Sequence, residues 1–103
     1  MSKLLTTIEP IHVGEILKEE FMIPLGLSAN ALAKYLGVPP NRISLIASRK
    51  RGISADTAIL LSMALGTTAE FWMNLQKDYE IEIARDKREV AKLPELEPMR
   101  MTA

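Results

Sequence analysis

The stretch Ala29-Asn30-Ala31-Leu32-Ala33-Lys34-Tyr35-Leu36-Gly37-Val38-Pro39-Pro40-Asn41-Arg42-Ile43-Ser44-Leu45-Ile46-Ala47-Ser48 decides the fold. Ala29, Leu32, Ala33 and Leu36 recur at i, i+3, i+4 and i+7, which lays one apolar stripe along a helix. Ser28, just ahead, suits an N-cap, because its hydroxyl accepts from the unpaired N–H groups of a first turn. Gly37 stops this helix, since it enters the left-handed conformation without a Cβ penalty. Pro40 then opens a second helix, where a missing N–H removes no bond, and Ile43 and Ile46 carry that helix to about Ser48. Two helices crossing steeply within about 20 residues need a small residue at their contact, a glycine at the turn and apolar anchors on the second helix. Counted from Ala29, Ala33 is fifth, Gly37 ninth, Ile43 fifteenth and Ile46 eighteenth, with Leu32, Leu36 and Val38 filling the remaining core slots. The spacing predicts a helix-turn-helix.

Working outward, Gly and Pro divide the chain into further helical segments. His12 to about Pro24 carries Ile16, Leu17, Glu20 and Phe21 as one stripe, with His12 as part of the cap and Pro24 and Gly26 as the stop. Ser54 caps a fourth helix with Asp56 in its first turn, Ala58, Leu61, Ala64 and Leu65 inward, and Gly66 at its end. Thr67 with Glu70 three residues later forms a capping box for a fifth helix, from about Thr68 to Ala91. Pro94 and Pro98 mark a tail, residues 92–103, expected to be disordered. No β-period alternation occurs. The expectation is an all-α protein of five helices, with residues 1–91 as one domain.

Composition limits what such a domain can do. Of 103 residues, 48% are apolar and 25% charged, which suits one modest core. There is no cysteine, and His12 is the only histidine, so neither a thiolate nor a His-rich metal site can form. No nucleophile–base pair or metal set suggests an enzyme, and no cofactor is expected. No apolar run approaches the length of a membrane span, and Met1-Ser2-Lys3-Leu4-Leu5 lacks the apolar core of a secretory signal. A soluble cytoplasmic protein is expected.

The formal net charge is zero, but it is unevenly spread. Residues 1–53 hold seven Lys and Arg against four Glu, and residues 54–103 hold six against nine acids. Between Glu20 and Asp56 there are five basic residues and no acid. A polyanion feels the local field rather than the total, so this basic middle suits nucleic acid.

In a helix-turn-helix the exposed side of the second helix enters the major groove. Pro40, Asn41, Arg42, Ser44 and Leu45 lie there. Asn pairs bidentately with adenine and Arg with guanine, while Leu45 suits a thymine methyl. Arg49, Lys50 and Arg51 follow where a loop would meet phosphates. The helix starts at Ser28 and Ser54 offer backbone N–H donors to phosphate oxygens, with Asn30 and Lys34 as further contacts. Phe71, Trp72, Leu75 and Tyr79 form a stripe on the fifth helix, of which Phe71 and Leu75 are expected in the core. Trp72, Tyr79, Ile83 and Val90 share one face over several turns and form the candidate surface of a two-fold homodimer. Such a dimer would read a palindromic operator in double-stranded DNA.

Together these residues resemble the phage-repressor-like (lambda-repressor-like) helix-turn-helix class, and more closely the HigA-type antitoxins, also called the virulence-associated protein I family. The resemblance covers roughly residues 8–85. It rests on His12-Val13-Gly14-Glu15-Ile16-Leu17-Lys18-Glu19-Glu20-Phe21 and Gly37-Val38-Pro39-Pro40-Asn41-Arg42-Ile43-Ser44. It continues in Lys50-Arg51-Gly52-Ile53-Ser54-Ala55-Asp56-Thr57-Ala58 and Phe71-Trp72-Met73-Asn74-Leu75-Gln76. It implies a dimeric antitoxin that represses from an operator at its own promoter and neutralises a small, basic, RNA-cleaving toxin. The family's DNA-facing positions match Asn41, Arg42, Ser44 and Lys50. Val13 replaces a common proline, and Leu45 a commonly polar residue. Arg49 stands where the family often has a helix-ending glycine, so keeping a left-handed turn there costs about 1 kcal/mol. Within the same fold the alternatives are a repressor without a toxin and a protein-interaction adaptor.

Overall fold

The computed structural model describes residues 9–100, and every regular element among them is helical. The first helix, α1, is continuous through three pieces: an α-turn Val13–Ile16, a π-helical stretch Leu17–Met22 and a closing α-turn Ile23–Leu25. α2 spans Ala29–Leu36, α3 Pro40–Ala47, α4 Ala55–Leu65 and α5 Ala69–Ala91. The sequence-predicted five-helix order holds. The ends of the expected domain and tail, residues 1–8 and 101–103, lie outside the described residues.

Local chemistry sets most boundaries. His12 caps α1, its Nδ1 accepting from the Gly14 N–H at 2.8 Å. Ser28 Oγ accepts from the Ala31 N–H at 3.0 Å to open α2, and Gly37 closes it at φ 75°. Ser54 Oγ accepts from the Thr57 N–H to open α4. Two boundaries differ from expectation. Thr68, not Thr67, caps α5 by accepting from the Phe71 N–H, while the Thr67 hydroxyl accepts from the indole Nε1 of Trp72 at 2.7 Å. Pro24 lies inside α1, and Gly26, at φ 67°, ends it.

The π-helical stretch also corrects the stripe expected on α1. Bonding five residues apart rather than four widens the turn and rotates the apolar face. Leu17 and Met22 are buried, five residues apart, and Glu20 is exposed. Pro24 just beyond has no N–H to give and crowds the carbonyl four residues back, which favours such a widened turn.

Val13, Leu17, Leu32, Ile43, Ile46, Leu61 and Trp72 are fully buried and make the core. α2 and α3 cross as the tight pair, with Ala33 fully buried. Trp72 replaces Phe71 as the central aromatic of α5. Phe71 stays partly exposed at the edge of a cluster with Phe21, the three rings lying 4.9–6.3 Å apart. The first half of α5 closes the core with Trp72 and Gln76, whereas every described residue from Ala84 onward is exposed. Lys92 ends α5 in the left-handed conformation, and residues 93–100 form no helix or strand.

α1 lies unusually close to α3. A Cβ on Gly14 would sit 1.7 Å from the Ile46 carbonyl oxygen, so only glycine permits the contact. Gly14→Ala is therefore expected to cost about 3 kcal/mol in urea unfolding, as overpacked cores do. Gly37→Ala meets no atom within 4 Å and suffers only its backbone conformation, about 1 kcal/mol. Equal losses for the two would contradict the α1–α3 contact. His12 supplies a pH dependence. Burial, then the Arg49 guanidinium, holds its imidazole below the ordinary histidine value, while Glu15 opposes them. The fold therefore favours neutral His12, and this stability is complete above about pH 6.5 and lost as pH falls through the lowered folded value. His12→Asn keeps a capping side chain and is expected to flatten that acid loss in melts between about pH 7 and pH 5.

Candidate nucleic-acid interface

α3 is seated by Ile43 and Ile46 and started by Pro40, which leaves its other side outward. Pro40, Asn41 and Ser44 are exposed there, and Leu45 is half-buried. The Ser44 hydroxyl donates to the Asn41 carbonyl at 3.4 Å, keeping its lone pairs outward-accessible. Arg42 is also half-buried. Its Nη1 lies 3.5 Å from Oδ2 of Asp56, in the first turn of α4, which tethers the guanidinium at the rim of α3. Asp56 is the only acid between Glu20 and Glu70, and local pattern does not assign it that role, because the pair depends on how α4 docks.

Beyond Ala47 the chain turns in a fully bonded cap: the Arg49 N–H donates to the Ile46 carbonyl and the Lys50 N–H to the Leu45 carbonyl. Arg49 holds the left-handed conformation at φ 68°, so the turn is kept without glycine. Its Nη1 donates to Glu15 Oε1 on α1 at 3.2 Å, which ties the end of α3 to α1. Lys50 and Arg51 are exposed, as are Ser28 and Ser54, whose hydroxyls are already engaged as caps. Asn30 and Lys34 are exposed on α2. Lys18 of α1, which no sequence pattern singles out, lines a shallow groove with Ala29 and Ser44, adding a cation beside α3.

The candidate dimer surface needs correction. Trp72 is fully buried, with its indole N–H satisfied by Thr67, so it has no surface to offer a second copy. Tyr79 stacks edge-on against the His12 ring at 4.8 Å and is half-buried, as is Ile83 beside it. Val90 alone of the four stands open, at 83% exposure. The helical spacing is right, but α1 already covers the first half of that face. A second apolar surface escapes the sequence pattern: Leu25 and Tyr35, both more than half exposed, line a groove between α2 and α4 with Leu27 and Leu65. Among the described residues no group of His, Asp and Glu is placed to hold a metal ion, and no helix is long and apolar enough to cross a membrane.

The comparisons with known proteins agree with this architecture. The profile of the helix-turn-helix family matches residues 17–72. The chain is 49% identical over 81 residues to virulence-associated protein I of Dichelobacter nodosus, covering 78% of this chain and 75% of that protein. It is 40% identical over 82 residues to antitoxin HigA-1 of Vibrio cholerae, covering 80% and 77%. Its fold superposes with a TM-score of 0.83 on a HigA antitoxin of Pseudomonas aeruginosa solved with the higBA promoter, at 41% identity over 89% of this chain and all of that one. The latter two are named as antitoxins. The chain belongs to the HigA-type antitoxin family of helix-turn-helix proteins.

Proposed function

We propose that this protein is the repressor and antitoxin of a toxin–antitoxin pair, acting in the cytoplasm on an operator beside its own gene. The observation that carries this is the polar outer side of α3, with Asn41, Arg42 and Ser44 beside exposed Lys50 and Arg51, in a fold shared with an antitoxin solved on promoter DNA. Asn41 and Arg42 read base edges, and Lys50, Arg51 and the N-termini of α2 and α4 hold phosphates. Residues 1–91 act as the DNA-binding domain, with 92–103 as a tail.

One such module spans only a few base pairs, so we take the working form to be a two-fold homodimer on a palindromic operator, its α3 helices one helical turn apart. The distal half of α5 supports this, through exposed Val90 with half-buried Ile83 two turns before it on the same face. The acidic excess of residues 54–103 suits a small basic toxin as the second protein partner.

Arg42→Ala is expected to weaken binding to the cognate operator by about 1–3 kcal/mol and to relax base preference at its position. Lys50→Ala is expected to weaken all duplexes alike and to lower the salt slope by about one. Gel-shift titrations over a salt series check both. An unchanged operator affinity for Arg42→Ala would remove that residue from base reading. For the dimer, light scattering at tens of micromolar is expected to give twice the chain mass for the wild type and the single-chain mass for Val90→Asp. A monomeric wild type that ignores a deleted half-site would overturn it.

A further inference from the structure

Gln76 is a buried polar side chain, 7% exposed, on the core face of α5. Its Oε1 accepts from the Ile53 N–H at 2.8 Å, and its Nε2 donates to Glu80 Oε2 at 2.7 Å. The loop from Lys50 to Ile53 lies directly on this amide. A Cβ on Gly52 would come within 2.7 Å of both its Oε1 and its Nε2. Ile53 is buried beside it, Lys50 and Arg51 project from the same loop, and Ser54 at its end caps α4. Glu15 of α1 holds the far end of α3 through Arg49, and Gln76 of α5 holds the loop after Lys50 through the Ile53 N–H.

We infer that Gln76 is a positioning residue for DNA binding: from inside the protein its amide fixes where Lys50, Arg51 and the start of α4 meet the phosphate backbone. The inference rests on the operator-binding reading above. The carboxamide suits the task because it accepts from the loop and donates to Glu80 at once, so its plane is held from both ends. A wrongly placed loop loses phosphate contacts, not base contacts. The effect is therefore on affinity for any duplex and on its salt dependence, while discrimination between sequences stays with α3.

The test compares wild type, Gln76→Leu, Gln76→Glu and the pair Gln76→Glu with Glu80→Gln. Each is titrated with a duplex of the region upstream of its own gene and with a random-sequence duplex of equal length. Circular dichroism gives the folded fraction. Gln76→Leu leaves the Ile53 N–H unpaired. Gln76→Glu still accepts from Ile53 but sets two carboxylates together. Both are expected to weaken both duplexes about tenfold per folded molecule, to lower the salt slope by about one, and to leave the ratio between duplexes unchanged. In the double variant the amide introduced at position 80 donates to the carboxylate introduced at position 76. Both bonds then reform, the Ile53 N–H still donating to position 76 and only the 76–80 bond exchanging donor and acceptor, and affinity is expected to recover. Folded variants with wild-type affinity and slope would overturn the inference, as would a loss that tracks the unfolded fraction. Where Gln76→Leu fails to fold, the exchange decides: a double variant as weak as Gln76→Glu overturns it. Wild type that binds neither duplex would overturn the DNA reading itself, and this inference with it.

Discussion

The outer face of α3 depends on the backbone of α1 lying directly against the carbonyl of Ile46. A helix of eight residues is marginal in water and takes its stability from packing. Ile43 and Ile46 supply the buried side, and Gly14 sets how deeply the helix sits. The same Ile46 carbonyl accepts the Arg49 N–H that turns the chain away. Arg49 then reaches back to Glu15, one residue from Gly14. α1 thus grips both the body and the end of α3, and the residues carried outward inherit that rigidity.

Charge on this face is arranged for exchange. Arg42 and Arg49 each have a carboxylate partner, but Asp56 is 75% exposed at its side chain and Glu15 45%. Ion pairs so open to water contribute little to stability. They keep a long guanidinium in one region of space, and a phosphate or a guanine edge can take it over at small cost. A neutral whole-molecule charge therefore coexists with a face suited to a polyanion, because the acids lie at its margin and on α5.

α5 serves two purposes along one continuous rod about 34 Å long. Its first half completes the core through Trp72 and holds the loop after α3 through Gln76. Its second half leaves the body, rich in charge and with Val90 uncovered. A helix without Gly or Pro in its interior carries position from one half to the other as a nearly rigid element. The exposed distal half of α5 and the loop after α3 are thereby joined mechanically.

The sequence by itself determined the number of helices, their order and most of their ends. Ser28, Gly37, Ser54 and Gly66 act through bonds and dihedral angles within a few residues, and such chemistry is the same wherever the segment lies. The side of α3 that faces outward was legible for the same reason, since Ile43 and Ile46 fix its inner side by helical period alone. Tertiary structure decided the rest. Periodicity placed Trp72 and Tyr79 on one face of α5 but could not tell that the body of the protein covers it. The cap at Thr68 in place of Thr67, and the pairs Arg42–Asp56, Arg49–Glu15 and Gln76–Ile53, follow from how helices dock. Glu15 and Arg49 stand 34 residues apart, and Ile53 and Gln76 stand 23 apart. No local pattern records those distances, because only burial of the shared core brings the groups together.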